Sequence, residues 1–308
     1  METDYIDYVK NMSLNKKKAG CHKTSHNYDV AIRSFCRFVS EVLKRKRVPL
    51  SDLTSELFAS YEKYLLTGCG LRRNTSSAYL RSLRAAYNNA VDEGLCSDKS
   101  PFRKVYTGTD KTRKRSLTDG ALRNLFTLSL PADGSLTLAR DIFCFSFLAQ
   151  GMPFVDLVSL RYSDFLTEKP ALVYTRSKTG ETVYVRVTQL MRTIVEKHHR
   201  EGDKYAFSIG IDHDDHKSYE TALHRYNRHL RKLAQMANIG TRLSSYCARH
   251  TWATQAFSRS VPLSVISRCM GHTSEKTTRI YLAQLADSEN HPLLSNMASE
   301  YESMIRLN

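Results

Sequence analysis

A basic, polar segment with few apolar side chains, Pro101 to Leu117, limits the possible folds because it separates two differently patterned regions. Before the segment, apolar residues recur at helical spacing. After it, the pattern changes to a period of two over one short region before helical spacing resumes. Such a composition is typical of a linker. We therefore predict two domains, residues 1–105 and 117–308, joined by a basic linker at residues 106–116.

The region before the linker is predicted to consist of helices. Helical patterns cover residues 28–43 and 74–94, and Thr54 is a candidate N-cap for a helix that ends at Gly68. Four arginines lie just before and within the helical pattern of residues 74–94. They are Arg72, Arg73, Arg81 and Arg84. Contacts with phosphates and plain solvent exposure are equally good interpretations of this cluster.

The second region is predicted to be helical around one hairpin. Helical patterns cover residues 118–126 and 135–151, and Pro153 can start another helix. The runs "ALVYTR" and "ETVYVRV" are rich in β-branched and aromatic residues and flank "SKTG", which predicts a hairpin. Helices follow, and an amphipathic tail starts at about residue 282. The predicted fold class is mainly α with a small antiparallel β-sheet.

The charge of the chain points to a polyanionic partner. The formal net charge is +15 and the pI is about 9.5, which favours nucleic acid because each neutralised phosphate releases counterions. No run of about 20 apolar residues and no secretory signal is evident. The seven cysteines are scattered without a C-x-x-C pair, which favours reduced thiols in a cytoplasm. The stretch "DHDDH", residues 212–216, is interpreted as a solvated loop and not as a metal site.

Four residues in the second region suit phosphoryl transfer. Tyr281 is a candidate nucleophile that must lose its proton to attack phosphorus. Arg249 offers a planar, permanently charged fork for two phosphate oxygens. Lys178 can protonate a leaving oxygen, and His272 can donate to the phosphate or transfer a proton. Each residue alone also fits a structural position, and the ordered set carries the interpretation.

The order and spacing of these residues resemble the tyrosine recombinases, or phage integrase family. The matching text is "ARHTWAT" at residues 248–254, the pair Gly271-His272, and Tyr281 nine residues after that histidine. The hairpin turn "RSKTG" and the upstream box "GMPFVDLVSLRYSDF" also resemble family motifs. The resemblance implies a helical, SAM-like core-binding domain followed by a tyrosine-recombinase catalytic domain.

The resemblance also implies a role for each matched residue. Tyr281 would attack the scissile phosphate and form a 3′-phosphotyrosyl link, and Arg249 would hold the phosphoryl oxygens. His272 would support the phosphate and the proton transfers. Lys178 would be the general acid for the leaving 5′ hydroxyl. No cofactor and no metal are implied, because the covalent link stores the energy of the phosphodiester.

Two positions depart from the family pattern. Pro153 replaces an arginine of the upstream box, and Tyr246 replaces a histidine or lysine and is retained as a candidate catalytic residue. Losing a phosphate-binding arginine removes several kcal/mol of transition-state stabilisation, so a substitute is expected. The candidates are Arg176, predicted on the same strand face as Lys178, and Arg140 on the preceding helix. Both departures resemble a subgroup of Bacteroidetes integrases and DNA invertases with the box "GM-x-F-V-D".

Three functions stay open at this stage. The first is a bacterial recombinase that is cytoplasmic and nucleoid-associated and that acts on duplex DNA. It would assemble as a homotetramer on DNA through contacts of its C-terminal tail, with a possible accessory DNA-bending protein. The second is a type IB topoisomerase, and the third is a DNA-binding relative with impaired catalysis at Pro153. The motif boxes favour the recombinase and are equally compatible with integration, excision and inversion.

Overall fold

The computed structural model describes residues 3–110, 116–131, 134–166 and 171–279. The chain divides into two compact units between Thr112 and Arg113. Each unit has its own buried apolar core. The prediction of a mainly helical fold with a small antiparallel sheet is confirmed. None of the helices in the described ranges is long and apolar enough to cross a membrane.

The first unit is helical, as the apolar spacing predicts. Its helices are α1 (Tyr5–Lys18), α2 (His22–Glu41), α3 (Ser55–Lys63) and α4 (Arg73–Asp92), and one turn of π-helix, Tyr64–Gly68, extends α3. Thr54 caps α3 by accepting a hydrogen bond from the Leu57 amide. Helix α1 was not predicted, because only its inward face is apolar. The polar first turns of α2 were not predicted either.

Aromatic side chains fill the core of the first unit. Phe35 stacks on Phe58 with ring centroids 5.7 Å apart and meets the edge of Tyr61 at 5.1 Å. The Tyr5 hydroxyl donates to the Leu83 carbonyl on α4 at 2.6 Å. Burying each such ring stabilises the fold by roughly 1.5–3 kcal/mol. This packing fixes α4 against α1 and α2.

The start of the predicted linker lies against α4. The Ser77 hydroxyl donates to the Gly108 carbonyl at 2.5 Å, and Asn74 exchanges two hydrogen bonds with the Asp110 backbone at 3.0 and 2.7 Å. The Tyr106 hydroxyl donates to Asp110 at 2.6 Å. Residues 106–110 are therefore an ordered extension of the first unit. Residues 111–115, in the rest of the predicted linker, lie outside the described residues.

The second unit is built around one mostly buried helix. Its helices are α5 (Asp119–Phe126), α6 (Ser135–Leu148), α7 (Phe154–Leu157), α8 (Ser163–Leu166), α9 (Gln189–His198), α10 (His216–Met236), α11 (Cys247–Ser258) and α12 (Leu263–Cys269). The central helix α6 packs against α9, α10 and α11, as its nearly continuous apolar sequence predicts. Pro153 precedes α7, which is only one turn long.

The predicted hairpin is present as β1 (Ala171–Thr175) and β2 (Thr182–Arg186). The strands pair antiparallel with Val173 opposite Tyr184. Alternate side chains are buried on the face that meets the core, and β2 packs against α12. This packing brings the turn of the hairpin to the loop that follows α12.

Candidate active site

Arg249 is a buried arginine in the first turn of α11, with a side chain held by backbone carbonyls. It is 1% exposed. Its Nη1 donates to the Gly151 carbonyl at 3.2 Å, and its Nη2 donates to the Met270 carbonyl. A buried charge is costly unless it is hydrogen-bonded, so these acceptors fix the guanidinium in one orientation.

Two glycines make room for arginine side chains. Gly151 has φ +73°, and a Cβ built on it would lie 2.6 Å from the Cα of Arg249. Gly271 has φ +60°, and its Cβ would lie 2.5 Å from the Cγ of Arg176. Gly271 also follows the end of α12. Its amide donates to the Arg268 carbonyl, and the His272 amide donates to the Ser267 carbonyl. The glycines of the "GM" and "GH" pairs are therefore required by both conformation and space.

His272 follows that helix end and contacts Arg249. The Nη2 of Arg249 lies 3.1 Å from the Nε2 of His272, and the Nδ1 of His272 lies 2.8 Å from the Thr278 hydroxyl. Burial, and then the charges of Arg249, Arg176 and Lys178, lower the pKa of His272 to about 4. The imidazole is therefore neutral at pH 7. Because arginine can only donate, Nε2 is the acceptor and Nδ1 carries the proton.

Arg176 lies next to this pair, but not on the strand face predicted for it. Strand β1 ends at Thr175, so strand alternation does not continue to Lys178. Arg176 is 5% exposed, whereas Lys178 lies in the exposed turn. The prediction that both lie on the same strand face was wrong, because the chain turns immediately after Arg176, whose carbonyl accepts from the Gly180 amide at 2.9 Å.

The Arg176 guanidinium forms a buried ion pair with Asp156 of α7. Among the described residues, its Nε has no hydrogen-bond partner. A buried donor without an acceptor is unfavourable by about 1–3 kcal/mol. The Nε of Arg176 is thus a donor that a bound anion can use. The charge of Arg176 acts on His272 together with those of Arg249 and Lys178.

The other substitute considered for the missing arginine, Arg140, lies in a different cluster. Its Nη1 donates to the Leu128 carbonyl at 2.7 Å, and its Nε donates to Asp141 at 2.8 Å. Asp141 also accepts from Lys197 at 2.9 Å and contacts His198 at 2.8 Å. Of the two candidates, Arg176 is the one whose charge acts on His272.

Tyr246 occupies the N-cap position of α11, three residues before Arg249. It is 47% exposed, and its ring meets His250 edge-on with centroids 4.9 Å apart. Tyr281 and the C-terminal tail lie outside the described residues. Residues 275–279, which precede Tyr281 in the sequence, are helical.

The four arginines predicted to bind DNA are exposed along α4 or at its N-cap. Arg81 and Arg84 donate to the hydroxyls of Thr109 and Thr107 at 2.8 and 2.9 Å. Arg73 lies over the Tyr106 ring, 3.8 Å from its centroid. The first residues of the predicted linker, 106–110, therefore contact three of these four exposed side chains.

The arrangement suits an anion more than a metal. Two buried guanidinium groups, a neutral imidazole and an exposed lysine surround one region, which favours a phosphate. Within the described ranges, no group of three histidine, cysteine, aspartate or glutamate side chains could hold a metal ion. In the "DHDDH" stretch, Asp215 caps α10 and Asp212 accepts from the Asp214 amide.

Sequence reasoning did not identify Asp156 or Thr278 as site residues. Asp156 lies in the quoted upstream box, yet its partners Arg176 and Ser177 are about 20 residues away in sequence. A carboxylate in an otherwise apolar run, "FVDLV", is the signal that identifies it. Such a residue needs a buried partner.

Comparison with known proteins agrees with this geometry. Residues 4–106 match the phage integrase SAM-like domain, and residues 132–288 match the phage integrase family. A tyrosine recombinase of Thermosipho africanus is 24% identical over 292 residues, covering 94% of this chain and 95% of that protein. Tyrosine recombinase XerC of Listeria welshimeri is 21% identical, covering 91% and 92%.

The fold is also found among solved structures. A lambda integrase dimer bound to a COC' core site aligns with a TM-score of 0.64 at 17% identity, covering 91% of this chain and 77% of that chain. The match to the family extends over half of the sequence and includes the region of Arg249, His272 and Lys178. The chain therefore belongs to the phage integrase family of tyrosine recombinases, a class of DNA strand-exchange enzymes.

Proposed function

We propose that this protein is a site-specific recombinase that cleaves and rejoins duplex DNA through a 3′-phosphotyrosyl intermediate. The observation that carries the proposal is the pair of buried arginines, Arg249 and Arg176, whose charges both act on His272. A phosphate bound there would receive donors from two fixed guanidinium groups. Arg176 would then take the role of the family arginine whose position Pro153 occupies in this chain.

In the proposed reaction, the Tyr281 oxygen forms a bond to phosphorus while the bond from phosphorus to the 5′ oxygen breaks. When the Nη2 of Arg249 donates to the bound phosphate instead of to His272, the phenol proton passes to the Nε2 of the neutral imidazole. Lys178 gives its proton to the leaving 5′ oxygen. Rejoining reverses these steps and needs no cofactor, because the phosphodiester energy is kept in the covalent link.

The environment of His272 supports its role as a base. Its low pKa keeps the imidazole neutral before DNA binds. A bound phosphate brings negative charge next to the ring and raises that pKa. His272 would therefore gain basicity when the scissile phosphate is in place. Tyr246, exposed at the N-cap of the same helix as Arg249, would add a neutral hydroxyl donor to the phosphate.

The proposed partner is duplex DNA. The net charge of +15 supports this, and Arg72, Arg73, Arg81 and Arg84 present a row of cations on the first unit. Similar folds include lambda integrase as a dimer on a core site and as a tetramer on a Holliday junction. By analogy, this chain would act as a homotetramer, with contacts through its C-terminal tail and with an accessory DNA-bending protein. It would act at the bacterial nucleoid.

A nicked suicide duplex that carries a site from the protein's own genomic neighbourhood tests the proposal. We expect a covalent protein–DNA band on a denaturing gel that Tyr281→Phe abolishes, while binding stays within a few fold. Persistence of the band in Tyr281→Phe would move the nucleophile elsewhere. Formation of Holliday junctions would separate a recombinase from a type IB topoisomerase. A protein that binds but forms no band with any site of a pooled genomic library would be a DNA-binding relative.

Arg176→Ala tests the substitute arginine. Losing one preorganised donor to the transition state slows cleavage by about 10²–10³-fold. Arg259→Ala is the matched control, because Arg259 is an exposed arginine at the end of α11 whose contacts are with Gln255 and Asp119. We expect the control to cleave at the wild-type rate. An Arg176→Ala protein that also cleaves at that rate would exclude Arg176 as the substitute.

A further inference from the structure

Asp156 is the most deeply buried carboxylate near the candidate site, and each of its two oxygens has different partners. The residue is 3% exposed. Its Oδ2 accepts from the Arg176 guanidinium. Its Oδ1 accepts from the Ser177 amide at 2.9 Å and from the Ser177 hydroxyl at 2.6 Å. One carboxylate therefore joins α7 to two consecutive residues at the start of the hairpin turn.

The contacts of Asp156 with Arg176 and Ser177 restrict the positions of these residues because the carboxylate is buried. A desolvated carboxylate is stable only while its partners keep good geometry, and removing one partner leaves an uncompensated charge. The backbone of Ser177 and the side chain of Arg176 are therefore held in fixed positions relative to α7. The short helix is itself fixed by the buried side chains of Phe154 and Leu157.

The other side of the turn has a second contact of the same kind. The Thr179 hydroxyl donates to the Gly271 carbonyl at 2.9 Å. Lys178 therefore lies between two residues that are each hydrogen-bonded to a different part of the site. Its own side chain is exposed. The position of its ammonium group depends on the backbone of the turn.

We propose that Asp156 is a positioning residue that holds the phosphate-binding Arg176 with one oxygen and, through Ser177, the proton-donating Lys178 with the other. The proposal rests on the proposed function. It explains why the carboxylate is buried in a one-turn helix beside Pro153. In this chain the substitute arginine and the general acid are neighbours in one turn, so a single buried group positions both.

The two oxygens predict two separable defects. Ser177→Ala removes one hydrogen bond to Oδ1 and loosens the turn that carries Lys178, so proton donation to the leaving oxygen should suffer. Asp156→Asn keeps an oxygen that can accept from Ser177, but it places an amide against Arg176. Phosphate binding should then suffer. Both defects slow cleavage of ordinary DNA, and only the first concerns the leaving group.

A change of leaving group distinguishes them. When sulfur replaces the bridging 5′ oxygen, the bond from phosphorus to sulfur breaks and the electron pair leaves on a thiolate, which needs no proton. A general acid contributes about 10²–10⁴-fold, so sulfur should largely restore cleavage by Lys178→Ala. We expect the sulfur-to-oxygen rate ratio of Ser177→Ala to exceed that of the wild type by roughly tenfold, the effect of about one hydrogen bond.

The experiment measures covalent adduct formation on matched suicide duplexes with oxygen or sulfur at the bridging position. Asp156→Asn and Arg176→Ala should be slow on both duplexes, with sulfur-to-oxygen ratios like that of the wild type. Ser159→Ala is the control, because Ser159 is exposed and its hydroxyl donates to the nearby Val155 carbonyl. Melting temperatures verify that each variant is folded.

Three results would overturn the proposal. A Ser177→Ala protein with the wild-type ratio would mean that the contact with Oδ1 does not position Lys178. An Asp156→Asn protein that cleaves normal DNA at the wild-type rate would mean that Asp156 does not position Arg176. If the wild type itself forms no Tyr281-dependent adduct on either duplex, the proposed function fails first, and that result is distinct from the other two.

Discussion

Gly151→Ala tests whether the upstream glycine is needed to place Arg249. Gly151 has φ +73°, and an added Cβ would lie 2.6 Å from the Cα of Arg249 and 3.0 Å from its Cβ. The Gly151 carbonyl also accepts from the Arg249 guanidinium at 3.2 Å. One substitution therefore disturbs both the backbone and the side chain of the buried arginine.

The expected loss of stability has two parts. A left-handed conformation costs an L-residue about 1–2 kcal/mol. The contact with Arg249 adds an overpacking cost of about 1–3 kcal/mol, because a backbone atom cannot rotate away as a side-chain end does. Gly210→Ala isolates the first part, since Gly210 has φ +70° and a Cβ there would meet nothing within 4 Å.

The assay compares melting temperatures and adduct formation on the suicide duplex. For a unit of this size, each kcal/mol lowers the melting temperature by about 2–4 °C. Gly151→Ala should melt below Gly210→Ala, and it should also cleave about 10²-fold more slowly, because a displacement of about 1 Å has that effect on a positioned group. Gly210→Ala should cleave at the wild-type rate. Equal melting temperatures and equal cleavage rates for the two variants would mean that Gly151 is not needed to place Arg249.

Two further predictions concern charged groups in the second unit. Burial and nearby cations lower the pKa of His272 to about 4 from its ordinary 6.5, so the unfolded chain binds more protons between these values. The stability from the neutral ring should be complete above pH 6.5 and lost as the pH falls to 4. His272→Asn should therefore melt with a weaker pH dependence in that window, and an unchanged slope would contradict the assigned cause. Burial raises the pKa of Asp141, but hydrogen bonds from His198, Lys197 and Arg140 outweigh it and lower that pKa to about 2. Asp141→Asn should destabilise the protein at pH 7 by roughly 3 kcal/mol, and melting at the wild-type temperature would show that Arg140 and Lys197 do not need this carboxylate.

Much of the fold follows from local patterns. The nearly continuous apolar sequence of α6 predicts a buried helix. The alternation in β1 and β2 predicts strands that bury one face. Helix α1 was missed, since its sequence is polar outside its few buried side chains. Pro153 precedes a helix as predicted, but α7 is only one turn long and ends at Leu157. Tertiary packing decided both outcomes.

The candidate site shows the same division. Residue types and their order identify the family, the chemical set of Arg249, His272 and Lys178, and the need for a substitute at Pro153. Those are matters of residue type and order. It did not choose between Arg176 and Arg140, because both are arginines near the right motifs.

The packing of the second unit shows which arginine lies near His272 and which residues hold it there. Arg140 is engaged by Asp141, whereas Arg176 is bound by Asp156 and fits because Gly271 lacks a side chain. The partners in these contacts are far apart in sequence. A buried charge is stable only where acceptors from several elements converge, and that convergence is a property of the packed core, which no local pattern encodes.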